Sequence, residues 1–277
     1  MIDFQNVFIL AQKELRDARR NRWFLLYALA FAALALGLAW MALRGAGDYG
    51  LAGFGRTSAS LINLILLIVP LMGLTLGALA LAGEREQGTL LYLLAQPINQ
   101  AELLLGKAIG LGLALVAALS LGFGLTALLI ATNGGAADVG IYLALLGLAS
   151  LLALVSLSVG MLISSATASG ATAVGIALFV WLLLVFFGDL GLMGSAVVMQ
   201  FDIDQLFLAT LANPLQLFKI AAVYSLRNNL EALGPAGIYA LRTYGDQLVL
   251  LLVGLLVAWV ALPLLLTGVF FKRRGVL

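Results

Sequence analysis

Few residues in this chain could do chemistry, and the densest group is Glu84-Arg85-Glu86, followed by Gln87-Gly88-Thr89-Leu90 and closed by Pro97. Three consecutive charges end an uncharged run from Ser58 to Gly83, and another apolar run begins at Leu103. Such charges cannot sit in hydrocarbon, so residues 84–97 are expected to form a structured turn at a membrane surface, shaped to be gripped by another protein. Glu84 and Glu86 have no capping role readable from the sequence; the bland alternative is a pair of solvated loop charges. Asp202 and Asp204 suggest a metal site, and Met193 and Met199 are soft donors for Cu(I). Two loop carboxylates are more often solvated or capping, and two methionines in an apolar loop more often pack, so no metal and no cofactor is expected.

Histidine and cysteine are absent, which excludes His-ligated haem, imidazole-bound zinc or copper, Ser-His and Cys-His catalytic pairs, and disulfides. A phosphate-cradling GxxxxGK[ST] is missing too: Gly106-Lys107 has Ala101 in the leading position and Ala108 following. The chain therefore reads as a non-enzyme whose energy arrives by contact with another subunit.

The elements that must position these residues lie in lipid. Hydrophobic residues are 63% of the 277-residue chain, charged residues 10%, and mean hydropathy is +1.12. Soluble domains carry about 25% charged residues. A span needs about 20 apolar residues to cross a ~30 Å core. Six stretches qualify: Trp23–Leu43, Ser58–Gly83, Leu103–Ala131, Ile141–Ser164, Thr172–Gly188 and Leu248–Phe271. The fold class is thus all-α, a polytopic membrane protein with six transmembrane helices. A net charge of +2 gives no case for nucleic acid.

An even number of spans puts both termini on one side. That side holds Lys13, Arg16, Arg19, Arg20, Arg22, Arg85, Lys107, Lys272, Arg273 and Arg274; Arg44, Arg56, Lys219, Arg227 and Arg242 lie opposite. This asymmetry places the termini and the Glu84 loop in the cytoplasm. The first span is too long and too far from the N-terminus for a cleaved signal, so an uncleaved anchor is expected.

Between spans, the spacing of Phe4, Phe8, Ala11, Leu15 and Ala18 predicts an amphipathic helix within residues 2–22, lying on the cytoplasmic leaflet. Asn99 with Glu102 forms a capping box for the helix after Pro97. Residues 189–247 form a long, apolar segment. There Asn213-Pro214 starts a helix, and Leu215, Phe218 and Ala222 make one face. Short helices on the outer leaflet are expected, forming a lid or a docking surface. The span interiors lack ionisable residues, Lys107 and Asp246 lying at span ends. That disfavours an ion-coupled transporter and an intramembrane aspartyl protease. Gly73-x-x-x-Gly77 and Gly106-x-x-x-Gly110 permit close helix approach without naming the interface.

The N-terminal interfacial helix, six spans, the Glu84-x-Glu86-x-Gly88-Thr89 loop after the second span and the long loop before the sixth resemble the ABC-2 type permeases. The resemblance covers nearly the whole chain. It implies one permease domain over 1–277, a bacterial inner-membrane location, a second copy of the chain, and a separate cytoplasmic ABC ATPase. Its implied ATPase-coupling residues are Glu84, Arg85, Glu86, Gly88, Thr89 and Leu90. AQKELRDARRNRWF, residues 11–24, and ANPLQLFK, residues 212–219, are similar to one branch, the membrane subunits of transporters that help mature nitrous oxide reductase. That branch implies a periplasmic accessory protein, with Asn213, Pro214 and Phe218 as docking residues, and a role in copper-sulfur centre assembly. A thiol-free, imidazole-free chain makes a poor copper channel, so mechanical coupling is favoured; passage of a sulfur compound stays open. An exporter permease for another substrate, or a non-transporting anchor for a periplasmic protein, are the alternative readings.

Overall fold

The computed structural model describes residues 3–49, 52–133, 139–188, 203–225 and 242–274. The expectations for Met193, Met199, Asp202 and much of 189–247 fall outside these residues. Every regular element described is helical: α1 (Phe4–Ala18), α2 (Arg22–Tyr49), α3 (Ala52–Glu86), α4 (Thr89–Leu94), α5 (Gln100–Thr132), α6 (Val139–Ala166), α7 (Gly170–Phe186), α8 (Ile203–Leu211), α9 (Pro214–Ser225) and α10 (Leu248–Arg274). Helix starts follow from local chemistry. Asn21 Oδ1 accepts from the N–H groups of Trp23 and Phe24, and the capping box of Asn99 with Glu102 is present at α5. Asn213 Oδ1 accepts from Leu215 N–H, with Pro214 as the first helical residue.

Among the described residues, five helices, α2, α3, α5, α6 and α10, are long and apolar enough to cross a membrane. The expected fifth span is a shorter apolar helix: α7 has 17 residues, a rise of about 25 Å. At one end of the bundle Leu10, Leu81, Leu90, Leu103 and Phe271 pack into one cluster. The N-terminal helix, the end of α3, α4, the start of α5 and the end of α10 therefore share that end.

Helix α6 sits at the centre, packed against α3, α5, α9 and α10. The small-residue pairs find their partners within the chain. A Cβ at Gly73 would stand 2.7 Å from Ser156 Cβ, and one at Gly77 would meet the Leu157 carbonyl of α6. Gly106 and Gly110 form a notch in α5 that receives Leu10, Ala11 and Glu14 of α1. Pro263 has no N–H to offer Trp259 one turn earlier, and Ser158 Oγ on α6 donates to that carbonyl at 3.3 Å. Trp181 of α7 donates its indole N–H to the Leu67 carbonyl of α3.

Helix α1 packs a further face on the bundle, and the expectation for α9 changes. The buried stripe of α1 is Val7, Leu10, Ala11, Glu14 and Ala18, whereas Phe4 and Phe8 are exposed. The glycine notch of α5 selects that face, and Glu14 joins it because a buried lysine waits there. Helix α9 is not amphipathic in its packing: Leu215 through Phe218 and Ile220 through Ala222 are all buried. It inserts among α3, α6, α8 and α10, burying Gln216 along with its apolar residues.

Candidate functional site

The charged end of α3 is the candidate site, and each of its three charges reaches a different element. Glu84 Oε1 lies 2.7 Å from Lys107 Nζ of α5 and 3.0 Å from Lys13 Nζ of α1. Arg85 donates to the Thr167 carbonyl, at the turn between α6 and α7. Glu86 Oε2 accepts from Gly170 N–H at 2.8 Å, capping an α7 start whose own N-cap, Ser169, supplies no side-chain bond. Glu84 is drawn into the bundle, and Glu86, though exposed, caps α7; both have structural partners invisible to local sequence reasoning.

Lys107 is 1% exposed and also meets Glu14 Oε1 at 2.7 Å. A buried ammonium without a counter-charge would cost several kcal/mol, and the two carboxylates remove that cost. Lys13 bridges the same two carboxylates and Asp17. Burial of the Lys13 ammonium opposes its charge, but Glu14 and Glu84 outweigh burial and its pKa is raised. Glu84 Oε2 is buried without a hydrogen-bond partner among the described residues. Beside the cluster lies a cavity of about 550 Å³, reached by Lys13, Asp17, Glu84, Gln87, Thr89 and Tyr92. Glu102 fastens the start of α1, accepting from Asp3 N–H at 2.8 Å and Asn6 Nδ2 at 3.1 Å.

Beyond Glu86 the chain turns on Gly88, whose φ of 73° lies in the left-handed region that glycine enters without penalty. Thr89 Oγ1 then donates to the Glu84 carbonyl. Leu90 is buried in the end cluster, while Leu91 and Tyr92 of α4 are 58% and 78% exposed. The segment is thus clamped at its charged head and presents an open face at α4.

At the other end, Phe218 is 0% exposed and Asn213 and Pro214 are buried. Asn213 Nδ2 donates to the Leu184 carbonyl, tying α9 to α7. These three residues pack inside the chain and offer no open surface in this conformation. Lys13, Glu14, Lys107 and Gly170 are the site residues that sequence reasoning passed over. The signal was present in Lys107, a lone lysine in a glycine-rich apolar helix start, which requires a carboxylate from elsewhere.

The model of the ABC-2 family transporter proteins matches residues 8–276. The chain belongs to the ABC-2 transporter family. Two relatives span nearly its full length, both named probable ABC transporter permease protein NosY. The one from Stutzerimonas stutzeri is 34% identical over 274 residues, covering 97% of this chain and 98% of the relative. The one from Pseudomonas aeruginosa is 34% identical over 276 residues, covering 98% and 99%. An ABC-2 permease is a membrane subunit, and five apolar helices of spanning length agree with that place.

Proposed function

We propose that this permease works as a pair of copies in the bacterial inner membrane, driven by a separate cytoplasmic ABC ATPase. In this reading α7 completes six spans, both termini are cytoplasmic, and the exposed Phe4 and Phe8 of α1 meet the lipid interface. One observation carries it: three consecutive charges clamp the end of α3 to α1, α5 and the α6–α7 turn, while the adjoining α4 turns Leu91 and Tyr92 outward. An ATPase gripping α4 would move the end of α3, and Glu84, Arg85 and Glu86 would hand that motion to the other helices. Gly88 and Thr89 form the hinge, and Leu90 seats α4 on the bundle. The six coupling residues thus transmit force, with α4 as the gripped surface.

The relatives' name supports a place in nitrous oxide reductase maturation, where copper-sulfur centres are assembled in the periplasm. We favour mechanical coupling to a periplasmic accessory protein over passage of copper, since the chain holds no thiol or imidazole. Docking of that protein is assigned to the outer segment 189–247, in which Asn213, Pro214 and Phe218 are the expected docking residues. The test is ATP hydrolysis by the complex purified through this chain, with and without its periplasmic partner. Co-purified hydrolysis that changes on adding the partner supports the reading. Intact chain with no accompanying ATPase after gentle solubilisation overturns it in favour of a membrane anchor, and hydrolysis indifferent to any periplasmic protein favours export of another substrate.

A further inference from the structure

Shortly before the charged end of α3, a hydroxyl from α6 bridges two groups of α3's own hydrogen-bond ladder. Ser164, 0% exposed, donates from Oγ to the Ala78 carbonyl at 2.6 Å and accepts from the N–H groups of Leu81 and Ala82 at 2.9 and 2.8 Å. A hydroxyl has one donor and two acceptor sites, so α3 takes up the whole capacity of this side chain. In a regular helix the Ala82 N–H would go to the Ala78 carbonyl; here Ser164 Oγ bonds both. Its neighbours behave otherwise: the hydroxyls of Ser165 and Thr167 bond back onto the Leu162 and Ile163 carbonyls of α6, a common habit of such residues in helices. Further along, Arg85 donates to the Thr167 carbonyl and Glu86 accepts from Gly170 N–H. Residues 164, 167 and 170 thus hold the end of α3 in succession. One turn before Ser164, a Cβ at Gly160 would run into the Leu74 carbonyl, so the two backbones are already in contact there.

We propose that Ser164 is a positioning residue of the coupling machinery: it fixes the corner between α6 and α7 to the end of α3, so that movement of α3 enters α6 and α7 together. The inference rests on the reading that an ATPase moves α3. Apolar contacts between helices permit sliding, whereas hydrogen bonds to backbone groups are directional. Drawing α3 away from Ser164 would strip a carbonyl and two N–H groups of a partner in a buried place, which is costly. Glu84 faces the other way, to Lys13 and Lys107, so the last turns of α3 grip the α6–α7 corner on one flank and α1 and α5 on the other. Ser164→Ala removes the bridge without stranding its partners, because the N–H groups of Leu81 and Ala82 return to the regular ladder of α3.

The chain has no cysteine, so single reporters test this. Each is combined with Ser164→Ala or with Ser165→Ala, which removes an equally buried hydroxyl bonded within α6. Both proteins should fold, with Tm values within about 5 °C of each other. A nitroxide at Ala168→Cys, an exposed position in the corner, reads attachment in the full chain in nanodiscs. Ser164→Ala should add a mobile component to its spectrum, and Ser165→Ala should not. The second reporter is Gln205→Cys, exposed on α8, in the complex purified with its ATPase. A membrane-impermeant maleimide is expected to modify it at different rates with and without a non-hydrolysable ATP analogue. Ser164→Ala should shrink that difference about two- to thirtyfold, while Ser165→Ala keeps it. An Ala168 label as immobile in Ser164→Ala as in the unaltered chain overturns the proposal. So does a full nucleotide response in Ser164→Ala, or an equal loss in Ser165→Ala, which would make the effect one of packing. If the unaltered complex shows no nucleotide response while Ser164→Ala still frees the corner, the ATPase-driven reading fails and the attachment of the corner stands.

Discussion

Lys107→Met keeps the length of the buried side chain and deletes its charge. Glu14 and Glu84 each place Oε1 2.7 Å from Lys107 Nζ, so the two oxygens are at most twice that distance apart. Two unit charges at that limit repel by about 3 kcal/mol at an effective dielectric of 20. Lys13, 3.2 and 3.0 Å from the same oxygens, offsets part of the repulsion but is only half-buried. Removing one partner of a buried ion pair costs about 3–5 kcal/mol, and the residual Lys13 contact puts the expected loss near the lower figure, ~3 kcal/mol. At roughly 2–4 °C per kcal/mol for a chain of this size, Tm should drop by about 6–12 °C. Thermal unfolding followed by intrinsic fluorescence in nanodiscs would measure it. Adding Glu84→Gln to Lys107→Met removes one of the two facing carboxylates and should recover about 1–2 kcal/mol, within the usual range of coupling between contacting residues. If Lys107→Met shifts Tm by less than about 2 °C, or if the two substitutions simply add, Lys107 is not the counter-charge of this cluster and the reasoning fails.

The raised pKa of Lys13 fixes the sign of a pH effect. Its contribution is complete while the unfolded lysine is still charged, below about pH 10.4, and is lost as pH rises through the folded value; Lys13→Met should therefore flatten the alkaline end of the stability profile, as read by Tm between neutral and strongly alkaline pH. Gly77→Leu would drive a side chain into the Leu157 carbonyl and the Met161 nitrogen, backbone atoms that cannot step aside. We expect a loss of at least about 1–3 kcal/mol, whereas Gly175→Leu, with nothing within 4 Å of its Cβ position, should be silent. Phe218→Ala should cost about 3–5 kcal/mol by leaving a cavity. A variant with unchanged Tm but lost binding to the periplasmic partner would instead give Phe218 the docking role that its burial argues against.

The sequence by itself determined what depends on composition or on neighbours a few residues apart. The apolar surplus placed the chain in lipid. Each stretch read as a span appears as an apolar helix, though α7 is shorter than the other five. Asn99, Glu102, Asn213 and Pro214 act within three residues of themselves, so their capping roles were legible without tertiary structure. Tertiary structure decided the partners of the charges: Glu84 meets Lys13 and Lys107, Lys107 meets Glu14, and Glu86 meets Gly170, pairs separated by 23 to 93 positions in the sequence. It also decided which face of α1 is buried, because the notch at Gly106 and Gly110 favours Glu14 over the more apolar Phe4 and Phe8. Helical periodicity reports how apolar a face is, while burial depends on the shape and charge of what it meets, and that surface is built by residues distant in the chain.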